Sequence, residues 1–453
     1  MICSGDDVAA SPRRIVIRTS IWFRWMARYG APRAFLAVQA RRGQPLARFL
    51  LGRARGDEMY RLVDDIRQQG RLVRRPFVWV SADHEICRMV LRDDRFGVTN
   101  IVNAPLPQPF PALLDRTDPG LPNPVERPAM VMSNPPDHTR YRRLFAQSFT
   151  PRAIDRLGAR VEEITAELLD GLERNPRPDL VADFATELPV AVITEILGLP
   201  VDARPQVREW GYGLAPLLDF GTSWKTFRHA VERLHEVDSY AAAFIERARA
   251  GDSRDDPFGR VAAGGELTHR EFAANAALLV GAGFETTVNL IGNGIVLLLQ
   301  HPHQLALLRD DPGLWPAAVE EILRFESPVQ MLVRSARRDA EIAGEHIRAG
   351  SMFVLLMGGA NRDPRVFSDP GRFDITRPNA RDHVAFGSGI HGCLGAALAR
   401  VEGVIALRTL FERFPTLSLR EQPEPLELVT LHGFKRLPVE LRTRPAGEVS
   451  QAQ

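Results

Sequence analysis

Residues 386–395 read FGSGIHGCLG and run straight into Ala396-Ala397-Leu398-Ala399-Arg400, whose apolar spacing through Leu410 and Phe411 is helical. The pattern places Cys393 at a helix N-terminus, where unpaired N–H groups and the positive end of the helix dipole lower a thiol pKa and prepare a thiolate. Glycines at 387, 389, 392 and 395 let the backbone approach something large and flat. A thiolate presented this way suits one axial bond to haem iron. The plain alternative is a structural cysteine at a helix cap. Gly387, Gly389 and Gly392 also spell G-x-G-x-x-G, but 383–388 is a poor strand and few residues remain for a second half, which weakens a dinucleotide site.

A second constellation is Ala282-Gly283-Phe284-Glu285-Thr286-Thr287. Gly281 and Gly283 each cost about 1 kcal/mol relative to alanine inside a helix, so close approach of a bulky group is a reason for them. A threonine hydroxyl can bond back to the carbonyl one turn earlier and bend the helix, opening a groove, and the adjacent acid can relay protons. The alternative is a buried acid satisfied by Asn or Arg. Glu321 and Arg324 stand one turn apart, close enough for an ion pair. His138 and Arg142, four apart on one helical face, and Arg334 offer polar or cationic groups.

These groups must be positioned by a mainly helical chain. Strand-like alternation appears only in short pieces such as 71–80, 341–347 and 352–357. The longest predicted helix starts at Thr268, where Thr268 and Glu271 form a capping box, and runs to Gln300, about 50 Å at 1.5 Å per residue. It is apolar almost all round, and Asn275, Glu285, Asn289 and Asn293 favour a protein core over a bilayer. Eight prolines between Val98 and Pro128 mark a long functional loop. No repeat or composition break divides the chain, so a basic arm over 1–45 and one domain over 46–453 are expected.

The hydrophobic share of 45% and charged share of 25% allow a large core, and the net charge of +2 excludes a whole-protein field directed at nucleic acid. Cys3, Cys87 and Cys393 are solitary, which fits a reducing compartment, and we expect a cytoplasmic protein without a spanning segment. From Arg13 to Arg75 sixteen arginines face four acids. Such an arm suits peripheral membrane contact or, the reading adopted here, folding back on the body.

The cysteine loop resembles that of the cytochrome P-450 superfamily, F-x-x-G-x-x-x-C-x-G, complete at Phe386, Gly389, Cys393 and Gly395. The block at 282–287 resembles the same family's A-G-x-[DE]-T-T, with glutamate where many members have aspartate. The similarity spans about residues 55–438 and looks like the soluble bacterial, actinobacterial branch. It implies the P-450 fold, a large helical domain with small sheets, and haem b between the long helix and the cysteine loop. It also implies a monooxygenase in which Glu285 and Thr286 are catalytic and Ala282 borders the haem. His138, Arg142, Arg334 and His391 would hold the haem propionates, and Phe386 would cover the sulfur side. Arg372, in Asp369-Pro370-Gly371-Arg372-Phe373, would complete a structural triad with Glu321 and Arg324. Partners implied are O2, a hydrophobic small molecule, and a ferredoxin with its NAD(P)H-dependent reductase. Two other readings keep the same cysteine: a peroxide-driven oxidase and a non-catalytic haem sensor, against both of which the acid–alcohol pair argues.

Overall fold

The computed structural model describes residues 20–52, 54, 56–99, 116–251 and 256–441; Cys3, the Arg13-Arg14 pair and the proline-rich positions 100–115 lie outside them. Helices dominate, as the periodicity predicts, and the largest apolar cluster sits among them. Two smaller clusters flank a five-stranded sheet of β1 (Val73–Arg74), β2 (Val78–Ser81), β3 (Phe96–Gly97), β4 (Met331–Ala336) and β5 (Met352–Leu356), ordered β1-β2-β5-β4-β3. β4 runs antiparallel to β5 with Arg334 opposite Phe353, and β2 runs parallel to β5. Because side chains two apart share a face, β4 turns Leu332 and Arg334 together toward the main cavity.

The described part of the arm, from Ser20, packs on the body: on the helical segment that ends at Gly30, ahead of α1 (Ala31–Arg41), Trp25 Nε1 donates to the Thr222 carbonyl at 2.8 Å and Tyr29 Oη donates to the Leu217 carbonyl at 3.2 Å. Arg24 and Arg28 both pair with Glu126 across the fold.

The capping box forms as predicted: the Glu271 N–H donates to Thr268 Oγ1 at 3.2 Å and the Thr268 N–H to Glu271 Oε2 at 2.8 Å. The long helix is not continuous, however. It divides into α6 (His269–Gly283) and α7 (Glu285–Gln300) at Phe284, whose φ is −104°. Low helix propensity at Gly281 and Gly283 makes this the weak point, and the buried Phe284 ring lies where a Cβ on Gly211 would collide with it. Its buried amides tie loops to the core: Asn275 Oδ1 accepts from the Met130 N–H at 2.8 Å, and Asn293 Nδ2 donates to the carbonyls of Glu326 and His432 at 3.1 Å. Although α6 and α7 together are long and apolar enough to cross a membrane, most of that length is buried inside the protein.

The predicted ion pair lies on α8 (Trp315–Phe325). Arg324 donates bidentately to Glu321, both bonds 2.7 Å, and its remaining N–H groups reach the carbonyls of Asn361, Pro370 and Arg372. Arg372 is not the third member. Its carbonyl faces inward to Arg324 and Arg377, which sends its side chain out to solvent, 63% exposed and 3.9 Å from Asp374. Arg377 takes the place, donating through Nε to Glu321 Oε1 at 3.3 Å while 6% exposed.

Candidate active site

Cys393 lies two residues before Gly395, the N-cap of α9 (Ala396–Arg413). Its N–H donates to the Phe386 carbonyl at 2.9 Å, closing the loop on itself. Gly387 and Gly389 have φ near +70°, a region that favours glycine. Gly389 is turned onto the backbone of Leu91, where any Cβ would clash, so it shapes the loop and does not line the cavity. Phe386 does line it, with the Arg400 guanidinium 4.5 Å above its ring and the His383 ring 5.8 Å away. Arg400 and His383 in turn share the buried Glu320, whose carboxyl they hold down at about 2.

The Cys393 sulfur opens into the cavity yet is enclosed by protein, and this desolvation raises its pKa. The Gly395 N–H and the charges of Arg142 and Arg400 oppose the rise without overcoming it. The helix N-terminus thus acts against desolvation, and a metal cation taking the sulfur would couple ligation to proton release.

Across the cavity stands the α6–α7 break. Thr286 Oγ1 donates to the Ala282 carbonyl at 3.0 Å, the back-bond that the sequence suggested. Ala282, Gly283, Thr286 and Thr287 line the cavity. Glu285 is buried, its Oε2 has no partner, and desolvation pushes its carboxyl up to about 7. Just outside it, Tyr212 and Thr186 share a hydrogen bond at 2.5 Å.

One edge of the cavity gathers His138, Arg142, Arg334 and His391. The two imidazoles stand 4.1 Å apart and the Nε2 of each is buried without a partner, while Arg142 donates to the Gly392 carbonyl at 2.8 Å. Arg334 is 6% exposed, donates only to the Val333 carbonyl, and is lowered to about 10 by burial. Desolvation, followed by the charges of Arg334, His138 and Arg142, lowers His391 to about 3. Among the described residues none of these four has a salt-bridged carboxylate, so the cluster is a ready receptor for an anionic group. With the thiol on one wall, a helix groove opposite and donors along the edge, the residues fit haem b with its two propionates.

The cavity holds about 1510 Å³ of space free of protein atoms, counting its mouth. The mostly apolar stretches 98–128, near 210–224, 278–282, 329–333 and 431–434 are where the sequence places the substrate pocket; Leu278, Leu279, Ala282, Val329 and Leu332 face the cavity, whereas 210–224 and 431–434 do not. Pro189, Val192 and Ile193 of α3 (Glu187–Ile196) do so instead, because that helix packs over the α6–α7 break. Sequence reasoning also missed Glu402 of α9, a fully buried acid that borders the cavity, bonds to Thr287 and is pushed up to about 8 by burial. The signal was present: Glu402 falls on the apolar face shared with Leu398, Ile405 and Ala406.

A family model described as Cytochrome P450 matches residues 313–442. The chain is 41% identical over 424 residues to a Mycobacterium tuberculosis protein named cytochrome P450 140, covering 92% of this chain and 97% of that one. It is 42% identical over 325 residues to the 6-deoxyerythronolide B hydroxylase of Saccharopolyspora erythraea, covering 69% of this chain and 78% of that one. Among solved structures it resembles P450BioI in complex with an acyl carrier protein ligated to hexadec-9Z-enoic acid, with a TM-score of 0.77 and 36% identity over 85% of this chain and 99% of that one.

Proposed function

This chain belongs to the cytochrome P450 family, and from that premise we propose that it inserts an oxygen atom from O2 into a hydrophobic small molecule, with electrons from a ferredoxin and its NAD(P)H-dependent reductase. It is a P450 monooxygenase and haem b is its cofactor. We also infer a cytoplasmic catalytic domain over 46–453 preceded by the basic arm over 1–45.

Haem b, when bound, supplies oxygen activation at its iron. Cys393 would hold that iron; His138, Arg142, Arg334 and His391 would hold the propionates; Ala282 and Phe386 would border the ring. Apolar groups of α3, α6 and β4 exclude water and orient the substrate. Thr286 Oγ1, bonded to the Ala282 carbonyl, fixes the groove beside the reacting centre and presents a hydroxyl there. Glu285 stands behind it as the proton reservoir, and its burial keeps the carboxyl protonated to about pH 7. The observation that carries the reading is this pairing of an enclosed thiol with a partnerless carboxyl beside Thr286. The acyl chain bound beside P450BioI and the apolar lining here both suit a long hydrophobic substrate.

Turnover under labelled O2 tests it: label should enter the product when ferredoxin, reductase and NAD(P)H are supplied. Label-free product, or turnover supported only by hydrogen peroxide, contradicts it.

A pH dependence follows. The Glu285 carboxyl gives up its proton as pH rises through about 7, so product formed per electron pair should fall above pH 7. The stability sign is the same. Folded Glu285 keeps its proton between about 4.5 and about 7 where the unfolded carboxyl has lost it, so stability falls with rising pH across that window, by about 3 kcal/mol in full. Glu285→Gln should flatten both profiles, read by product coupling and by denaturant unfolding at pH 5 and pH 8. Unchanged profiles contradict the assignment.

A further inference from the structure

Between residues 8 and 56 lie eleven arginines and no acid. Within that stretch α1 lies on the surface with no buried residue. Leu36 turns inward onto the cluster of Phe49, Val63 and Val80. The opposite side, at helical spacing, carries Ala34, Phe35, Val38, Arg41 and Arg42, all exposed. Phe35 is 42% exposed and Val38 45%.

The ridge continues into a second element. Phe77, in the turn between β1 and β2, is 70% exposed and meets the Phe35 ring edge-on at 5.5 Å, with the exposed Arg74 three residues away. Two elements far apart in sequence thus bring apolar tips together on the outside, where burial in the core offers them nothing. The same two elements carry the exposed Arg41, Arg42 and Arg74, the last with its guanidinium 5.7 Å from the Trp79 ring. Arg24 and Arg28 are paired with Glu126 and Arg48 with Glu58, whereas Arg41, Arg42 and Arg74 have no carboxylate partner among the described residues.

We propose that this ridge is a docking surface for an anionic lipid bilayer, seating Phe35, Val38 and Phe77 among the headgroups with Arg41, Arg42 and Arg74 against lipid phosphates. Aromatic and aliphatic tips on one face of a surface helix, edged by arginine, are the chemistry of a helix lying in the plane of a membrane interface. Each cation near such a surface adds about a fourfold to sixfold gain in partitioning at physiological ionic strength. The contact would leave the core helix pair α6–α7 where it is, buried inside the protein.

The test is co-sedimentation of the full, haem-loaded chain with vesicles of phosphatidylcholine and phosphatidylglycerol in equal parts, against phosphatidylcholine alone. The expected result is retention on the anionic vesicles only, weakened by salt. Arg41→Glu with Arg42→Glu should lower retention at least about tenfold, and Phe35→Ser with Phe77→Ser should lower it several-fold, while the absorption spectrum and melting temperature stay put in both. No retention on anionic vesicles, equal retention on both kinds, or binding unchanged in both variants overturns the proposal. Capture by an acidic carrier protein through the same residues without vesicle binding also overturns it, in favour of a protein dock.

Discussion

Alanine at position 286 is expected to leave NAD(P)H consumption running while product formed per electron pair falls by about tenfold or more. The Thr286 hydroxyl donates to the Ala282 carbonyl across the break between α6 and α7, and Thr286 follows directly on Glu285, whose buried Oε2 has no hydrogen-bond partner among the described residues. The alanine substitution takes away the hydroxyl that, in the proposed function, hands the Glu285 proton toward the Cys393 side of the cavity. Electrons would then leave as hydrogen peroxide instead of entering product. Thr286→Ser, which keeps the hydroxyl, should recover most of the coupling, and melting temperature should separate this from a folding defect. Full coupling in the alanine variant would end that role for Thr286.

Arg324→Ala should remove most folded, haem-loaded protein. Arg324 is wholly buried, and its loss leaves Glu321 with the longer Arg377 contact at 3.3 Å as its only cationic partner among the described residues and removes this donor from the carbonyls of Asn361 and Pro370. Breaking a buried pair from one side costs about 3–5 kcal/mol, a large part of the ~5–15 kcal/mol that holds a typical fold. Arg377→Ala should weaken the same cluster by less, since Arg324 still neutralises Glu321. Arg372→Ala should stay within about 0.5 kcal/mol, because its side chain is in solvent. Chemical unfolding of the three variants checks the order. A costly Arg372→Ala beside a mild Arg377→Ala would reverse the assignment made from the hydrogen bonds.

The fold class, the capping box at Thr268 and the strands within 73–81, 340–347 and 352–356 were legible because each rests on local periodicity or on a cap with its own chemistry, whereas β4, which carries Arg334, was not. So was the company of Cys393, Thr286, His138, Arg142, Arg334 and His391, which the structure brings to one cavity. What the sequence hid depends on direction and environment. Arg372 and Arg377 are both arginines beside the same carboxylate, and only the turn at 369–374 decides which side chain points inward. Helix breakage at Phe284 depends on where a ring finds room, against Gly211 of a distant helix. Desolvation raises the Cys393 thiol, and a loop motif does not carry that information.

In the proposed function the Cys393 sulfur is the protein's bond to haem iron. Recording the carbon monoxide difference spectrum of the reduced protein, beside that of Cys393→Ala, tests it most directly. The wild-type chain should show the thiolate-ligated signature and the variant should lose it. A thiolate signature that survives the substitution, or purified protein that holds no porphyrin, would contradict the account.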